Sequence, residues 1–154
     1  MKLSQHLDLS EVIRSESAKR NGISNMPTGE HIANFITLAE KIFEPVREHF
    51  GVPIHISSGY RSAALNKCIG GSATSQHCKG QAIDIDMDGT SNGVTNKMVY
   101  DYIKDNLKFD QLIWEFGDNA NPDWVHVSYS EDKNRGQKLK AIKSNGKTSY
   151  TAIA

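Results

Sequence analysis

His77, Cys78, Asp84, Asp86 and Asp88 crowd into one short polar stretch, and further along the chain a second histidine, His126, follows an acid, Asp123, by three residues. Imidazole, thiolate and carboxylate are the usual metal-binding side chains, so the first question is which ion this set suits. Asp84, Asp86, Asp88 and Gly89 match the opening of a twelve-position calcium loop, but the twelfth position is Thr95, which has no carboxylate to offer. The residues that should enter that loop as a helix alternate like a strand instead. Both features argue against an EF-hand, and a weaker Ca2+ contact at Asp86 and Asp88 stays open.

A catalytic zinc takes three protein ligands, mostly histidine with at most one carboxylate, and leaves a fourth position free. His77 sits in a polar turn before Gly80, which lets the chain fold back toward Asp84 on the far face of the next strand. His126 is the best third ligand. Val125 and Val127 alternate with it, so it faces the same side as Asp84 if both strands share a sheet. The competing reading is a satisfied surface histidine. Asp123 would fall on the opposite face of a regular strand, but it follows Pro122 and can be swung inward by a turn or bulge. Cys78 adjoins His77 and diverges from it, so it reads as a small hydrophobe. His55 reads as a surface or cleft residue.

Elements that could position these residues are legible in the periodicity. Asp8 to Arg20 reads as a helix with a capping box at Asp8 and Glu11 and a stop at Gly22. Thr28 caps a long second helix with Ile32, Phe35, Ile36, Ala39, Ile42, Phe43 and Val46 on one face. Pro45 should kink or end it locally, and Gly51 closes it. A strand follows from Pro53 to Ser57, then a short helix from Ser62 to Cys68 broken by Gly70 and Gly71. Gln81 to Met87 alternates as a strand with Ile83, Ile85 and Met87 inward. Ser91 or Asn92 opens a helix running to Leu107. Gln111 to Phe116 and Trp124 to Tyr129 form a hairpin around a Gly, Asp, Asn and Pro loop. Lys133 to Lys147 carries six basic residues and little apolar content. It reads as a solvated end, with contact to an anionic polymer as the alternative. Helices first and a hairpin late predict an α+β domain, an antiparallel sheet with flanking helices.

The chain has 154 residues, enough for one core, and reads as a single domain: N-terminal helices over 1–50, a metal-site core over 51–130 and a basic tail over 131–154. Eighteen basic residues balance eighteen acidic ones, so no net field draws it to nucleic acid or a membrane surface. The apolar runs are too short to span a bilayer, and the opening MKLSQHLDLS has no apolar core of a secretory signal. Two cysteines make no disulfide framework; free thiols are expected, with a Cys68–Cys78 bridge as the alternative.

Three segments in order resemble one family. Ser57-Ser58-Gly59-Tyr60-Arg61-Ser62, Ser75-x-His77-x-x-Gly80-x-Ala82-x-Asp84 and Asp123-Trp124-Val125-His126-Val127-Ser128 are similar to the motifs of the bacterial cell-wall zinc peptidases that share the hedgehog/D,D-peptidase fold. That family includes zinc D-Ala-D-Ala carboxypeptidases, D-Ala-D-Ala dipeptidases and phage endolysins cutting L-alanyl-D-glutamate bonds. The resemblance covers about half the chain, Pro53 to Tyr129. It implies one Zn2+ on His77, Asp84 and His126, Asp123 as general base and Arg61 as electrostatic helper. Many relatives carry Glu where this chain has Asp123. Ser75, Tyr60 and Trp124 flank these residues and are expected to touch substrate, with aromatic packing the alternative for the two rings.

What the resemblance implies is a zinc-dependent peptidase acting on peptidoglycan stem peptides, of the phage endolysin kind. It would be a monomer made in the host cytoplasm that works at the cell wall or rides in the virion. Two rivals stand beside it: a D,D-carboxypeptidase or dipeptidase on free precursors, and a non-catalytic metal-bearing module that binds wall or virion. The retained Asp123 and Arg61 argue against the last, because a structural zinc needs no base.

Overall fold

The computed structural model describes residues 1–154. Two short helices open the chain, α1 (Leu9–Ile13) and α2 (Glu16–Arg20). The capping box at Asp8 and Glu11 forms as expected, but the single helix from Asp8 to Arg20 does not. Arg14 is extended and Ser15 starts a new helix, accepting the Ala18 N–H with its hydroxyl. Asn25, in the polar connection that follows, binds the carbonyls of Ile13 and Tyr60 and accepts the Ser62 N–H, stapling this region to the site-bearing loop.

Thr28 caps α3 (Gly29–Leu38), which runs through a π-helical turn (Ala39–Phe43) into α4 (Glu44–Phe50). Pro45 has no N–H to continue an α-helical ladder, and the widened turn lies immediately before it. Gly51 ends α4 in the left-handed conformation. The remaining helices are α5 (Ala63–Cys68), capped by Ser62, and α6 (Asn96–Asn106), capped by Thr95. That last helix starts later than Ser91 or Asn92 because Ser91 and Gly93 both take positive φ.

The sheet has six strands, β1 (Ile56–Ser58), β2 (Ala82–Ile85), β3 (Gln111–Glu115), β4 (Trp124–Ser128), β5 (Gln137–Ser144) and β6 (Lys147–Ala152), in the order β1-β2-β4-β3-β5-β6. This is an α+β fold. Every pairing is antiparallel except β3 with β5, which is parallel. The last two strands correct the expectation of a solvated tail. Asn145 and Gly146 both have positive φ, the two-residue turn that closes a tight hairpin. Lysine-rich, mostly exposed strands suit a sheet edge, where charge deters pairing with other chains.

One face of the sheet carries Ile83, Ile85, Leu112, Trp114, Val125 and Val127 into a core shared with Phe35, Leu38, Ile42, Phe43, Val46, Val99 and Ile103 from the helices. Slipping β2 against β4 by one residue would turn Ile83 and Ile85 outward and Asp84 toward the core. Each isoleucine contributes about 1.5–3 kcal/mol by burial, so the core sets the register and the polar face follows from it.

Candidate active site

In that register Asp84 lies opposite His126. Directly opposed residues of an antiparallel pair share a face, so the two side chains meet on the side away from the core. His126 Nδ1 is 3.1 Å from Asp84 Oδ1. His77 comes from the turn before β2 and brings its Nε2 to 3.2 Å from His126 Nδ1 and 3.3 Å from Asp84 Oδ1.

Two glycines make that turn fit. Gly80 has φ +73°, and a Cβ there would collide with the His31 carbonyl, so only glycine lets the turn pack on α3. Gly59 packs so tightly against the Val12 backbone that any side chain would clash. Its carbonyl accepts a hydrogen bond from His77 Nδ1 at 2.6 Å. That bond fixes the imidazole tautomer, with the proton on Nδ1 and the lone pair of Nε2 aimed at His126 and Asp84. Ser75 opens the turn. Its hydroxyl accepts the His77 N–H at 3.2 Å and an Arg61 Nη2 donor at 3.3 Å. The Arg61 N–H in turn reaches the His77 carbonyl.

The three converging groups fit a tetrahedral ion. Ligands held about 2.0–2.1 Å from zinc at tetrahedral angles lie roughly 3.3–3.4 Å apart, close to the observed separations. Two imidazoles and a carboxylate within 4.8 Å of one another, with one imidazole's proton already spent on a carbonyl, form a cation-binding donor set. Burial works against the Asp84 charge, yet His77 and His126 outweigh it and hold the carboxyl well below its ordinary pKa. Asp84 is thus a carboxylate under all ordinary conditions.

The other expected site residues divide. Arg61 has no carboxylate within ion-pair distance, and its Nε is buried without a partner, an unpaid polar cost beside the donor set. Trp124 is half-buried and packs edge-on against Phe116 at 5.4 Å. Tyr60 is buried, its ring against His31 and Phe35, so it belongs to the core rather than to a substrate surface. Asp123 is exposed. Its N–H is held by the Glu115 carbonyl and its carbonyl by Asn96 Nδ2, while its carboxylate is not among the converging atoms. The Asp86 carboxylate accepts from the Asp88 N–H and from Asn96, which ties the end of β2 to α6. Cys68 and Cys78 are free, and burial pushes the Cys78 thiol up, keeping it protonated. His55 is exposed, as a surface residue would be.

Sequence reasoning gave Glu115 no role. It pairs with Trp124 two residues along from the Ile113–His126 pair, so its side chain shares the site face. Burial, helped by the negative charge of Asp84, pushes its carboxyl up to about 7, with His126 and Arg61 pulling the other way. A lone acid between Leu112-Ile113-Trp114 and Phe116 was the available signal.

An α+β domain whose sheet and adjoining turn bring two imidazoles and a carboxylate to one point has the frame of a metal-dependent hydrolase. Residues 5–128 match the family model described as Peptidase M15, and the chain belongs to that family. It is a metallopeptidase. No curated protein matches the chain significantly.

Proposed function

We propose that the protein hydrolyses peptide bonds in the stem peptides of bacterial peptidoglycan, using one zinc ion on His77, Asp84 and His126, and that it does so as a monomeric phage endolysin. The triangle of donor atoms, 3.1–3.3 Å on a side, carries this reading. A bound zinc ion supplies Lewis acidity toward the scissile carbonyl and an acidified water. In this reading Asp123 takes the proton of the attacking water and returns it to the leaving amine. In the same reading the Arg61 guanidinium, positioned by Ser75, stabilises charge on the carbonyl oxygen as it becomes an oxyanion. Ser75 keeps Arg61 and His77 in register with each other. No helix is long and apolar enough to cross a membrane.

The test is digestion of purified cell walls by metal-stripped protein with zinc restored, followed by mass spectrometry of the fragments. New amino termini that appear only with zinc are the expected result, and the residues flanking them identify the bond. Absence of new termini under every metal condition defeats the proposal. Calcium titrated into the same assay tests the weaker reading at Asp86 and Asp88.

A further inference from the structure

The family match ends at residue 128, and the β5–β6 hairpin lies beyond it. The register nevertheless carries the site face across that hairpin. Glu115 pairs with Ala141 of β5, and Ala141 pairs with Tyr150 of β6. In-register neighbours share a face, so Glu115, Ala141 and Tyr150 form one row on the side that bears Asp84 and His126. Ile153, of opposite parity to Tyr150, packs against the hydrophobic core on the other side. Ala141 lies in β5, between β3 and β6, and is fully buried. Its methyl is the only side chain between Glu115 and Tyr150 in that row. Tyr150 is 55% exposed, its ring unclaimed by the core.

We propose that Tyr150 forms the outer wall of the substrate cleft and contacts the bound peptide, making the hairpin a specificity element added to the metal centre. This inference rests on the peptidase reading above. The phenol is pushed up by burial and then by the charges of Glu115 and Asp84, with Arg61 opposing, so the ring lies within the electrostatic field of the site. It remains a neutral hydroxyl able to donate to a peptide carbonyl or carboxylate. Exposed tyrosine offers a large, stiff contact surface at small entropic cost, which suits a residue that grips a flexible peptide.

The experiment compares Tyr150→Ala with Thr151→Ala, whose side chain lies on the opposite face of the same strand. Steady-state kinetics use a stem peptide that the wild-type enzyme cleaves. Tyr150→Ala is expected to raise KM roughly tenfold and leave kcat within about twofold, with the unfolding temperature unchanged. Thr151→Ala is expected to match wild type. A Tyr150→Ala variant with wild-type KM overturns the inference while leaving the peptidase intact. If the wild type cleaves no stem peptide, the peptidase reading falls instead. Calorimetric binding of a peptidoglycan stem peptide to the protein then decides the wall: weaker binding by Tyr150→Ala sustains it, and equal or absent binding overturns it.

Discussion

Strands β2, β3 and β4 belong to the same sheet as β5 and β6, yet the two regions are built on different terms. In the central three strands nearly every residue is buried or half-buried, and the positions of Asp84, His126 and Glu115 follow from apolar side chains on the opposite face. In the hairpin the outer strand is exposed throughout, and the hairpin's place depends on main-chain pairing and on what anchors the start of β5. That anchor is Asp110. Its buried carboxylate takes the Arg135 N–H at 3.0 Å and the guanidinium through Nε at 2.8 Å and Nη2 at 3.0 Å. The Asp110 carbonyl and the Phe109 carbonyl accept from Gln137 and Gly136. The converging donor set sits where packing fixes it, and the proposed substrate wall sits where main-chain pairing and one ion pair do.

The largest effect that would break this contrast lies at its centre. His77→Ala removes one of three converging donors, and bound zinc should fall from about one ion per chain to none detectable by elemental analysis, with hydrolysis lost alongside. Stoichiometric zinc in that variant would show that the donors do not share an ion. Next is Asp123→Asn, expected to lower kcat by roughly 10²–10⁴ while zinc is retained; an unchanged kcat would move the proton-accepting role elsewhere, with Glu115 the nearest candidate. Arg61→Ala follows, with kcat reduced roughly 10²–10³ and zinc still bound. Its unfolding temperature should shift little, because losing the Ser75 hydrogen bond is offset by removing the buried, unpartnered Nε.

The smallest effect sharpens the contrast from the hairpin side. Asp110→Asn should cost about 1–2 kcal/mol, less than a fully buried pair because Arg135 is half exposed. Hydrogen bonds from Arg135 hold the Asp110 carboxyl below its ordinary pKa. The unfolded chain therefore takes up the proton first as pH falls. The stabilisation is complete above the ordinary aspartate pKa and drains away as pH drops through the lower folded value. Denaturant titrations should show the wild type and Asp110→Asn diverging at neutral pH and converging in acid. A gap that persists in acid would mean the ion pair does not anchor the hairpin.

Much of this was legible in one dimension because the signals are local. The capping box at Asp8 and Glu11, the Thr28 cap and the alternation of Gln81 to Met87 each depend on a few neighbouring residues. Even the candidate metal set was visible as types and spacing. The hairpin was missed because lysine-rich edge strands look like solvated chain, although Asn145-Gly146 was there to mark its turn. The break at Ser15 was missed because a serine within a helical pattern is ambiguous until the chain around it packs.

By itself, then, the sequence determined which residues could bind a metal and which stretches would be helix or strand, since cap, turn and alternation act over a few residues. Only the tertiary structure decided that His77, Asp84 and His126 meet within about one hydrogen bond's length, that Glu115 joins their face and that Tyr60 does not. Those outcomes depend on pairing register and on the burial of remote apolar side chains, which act between segments far apart in the chain.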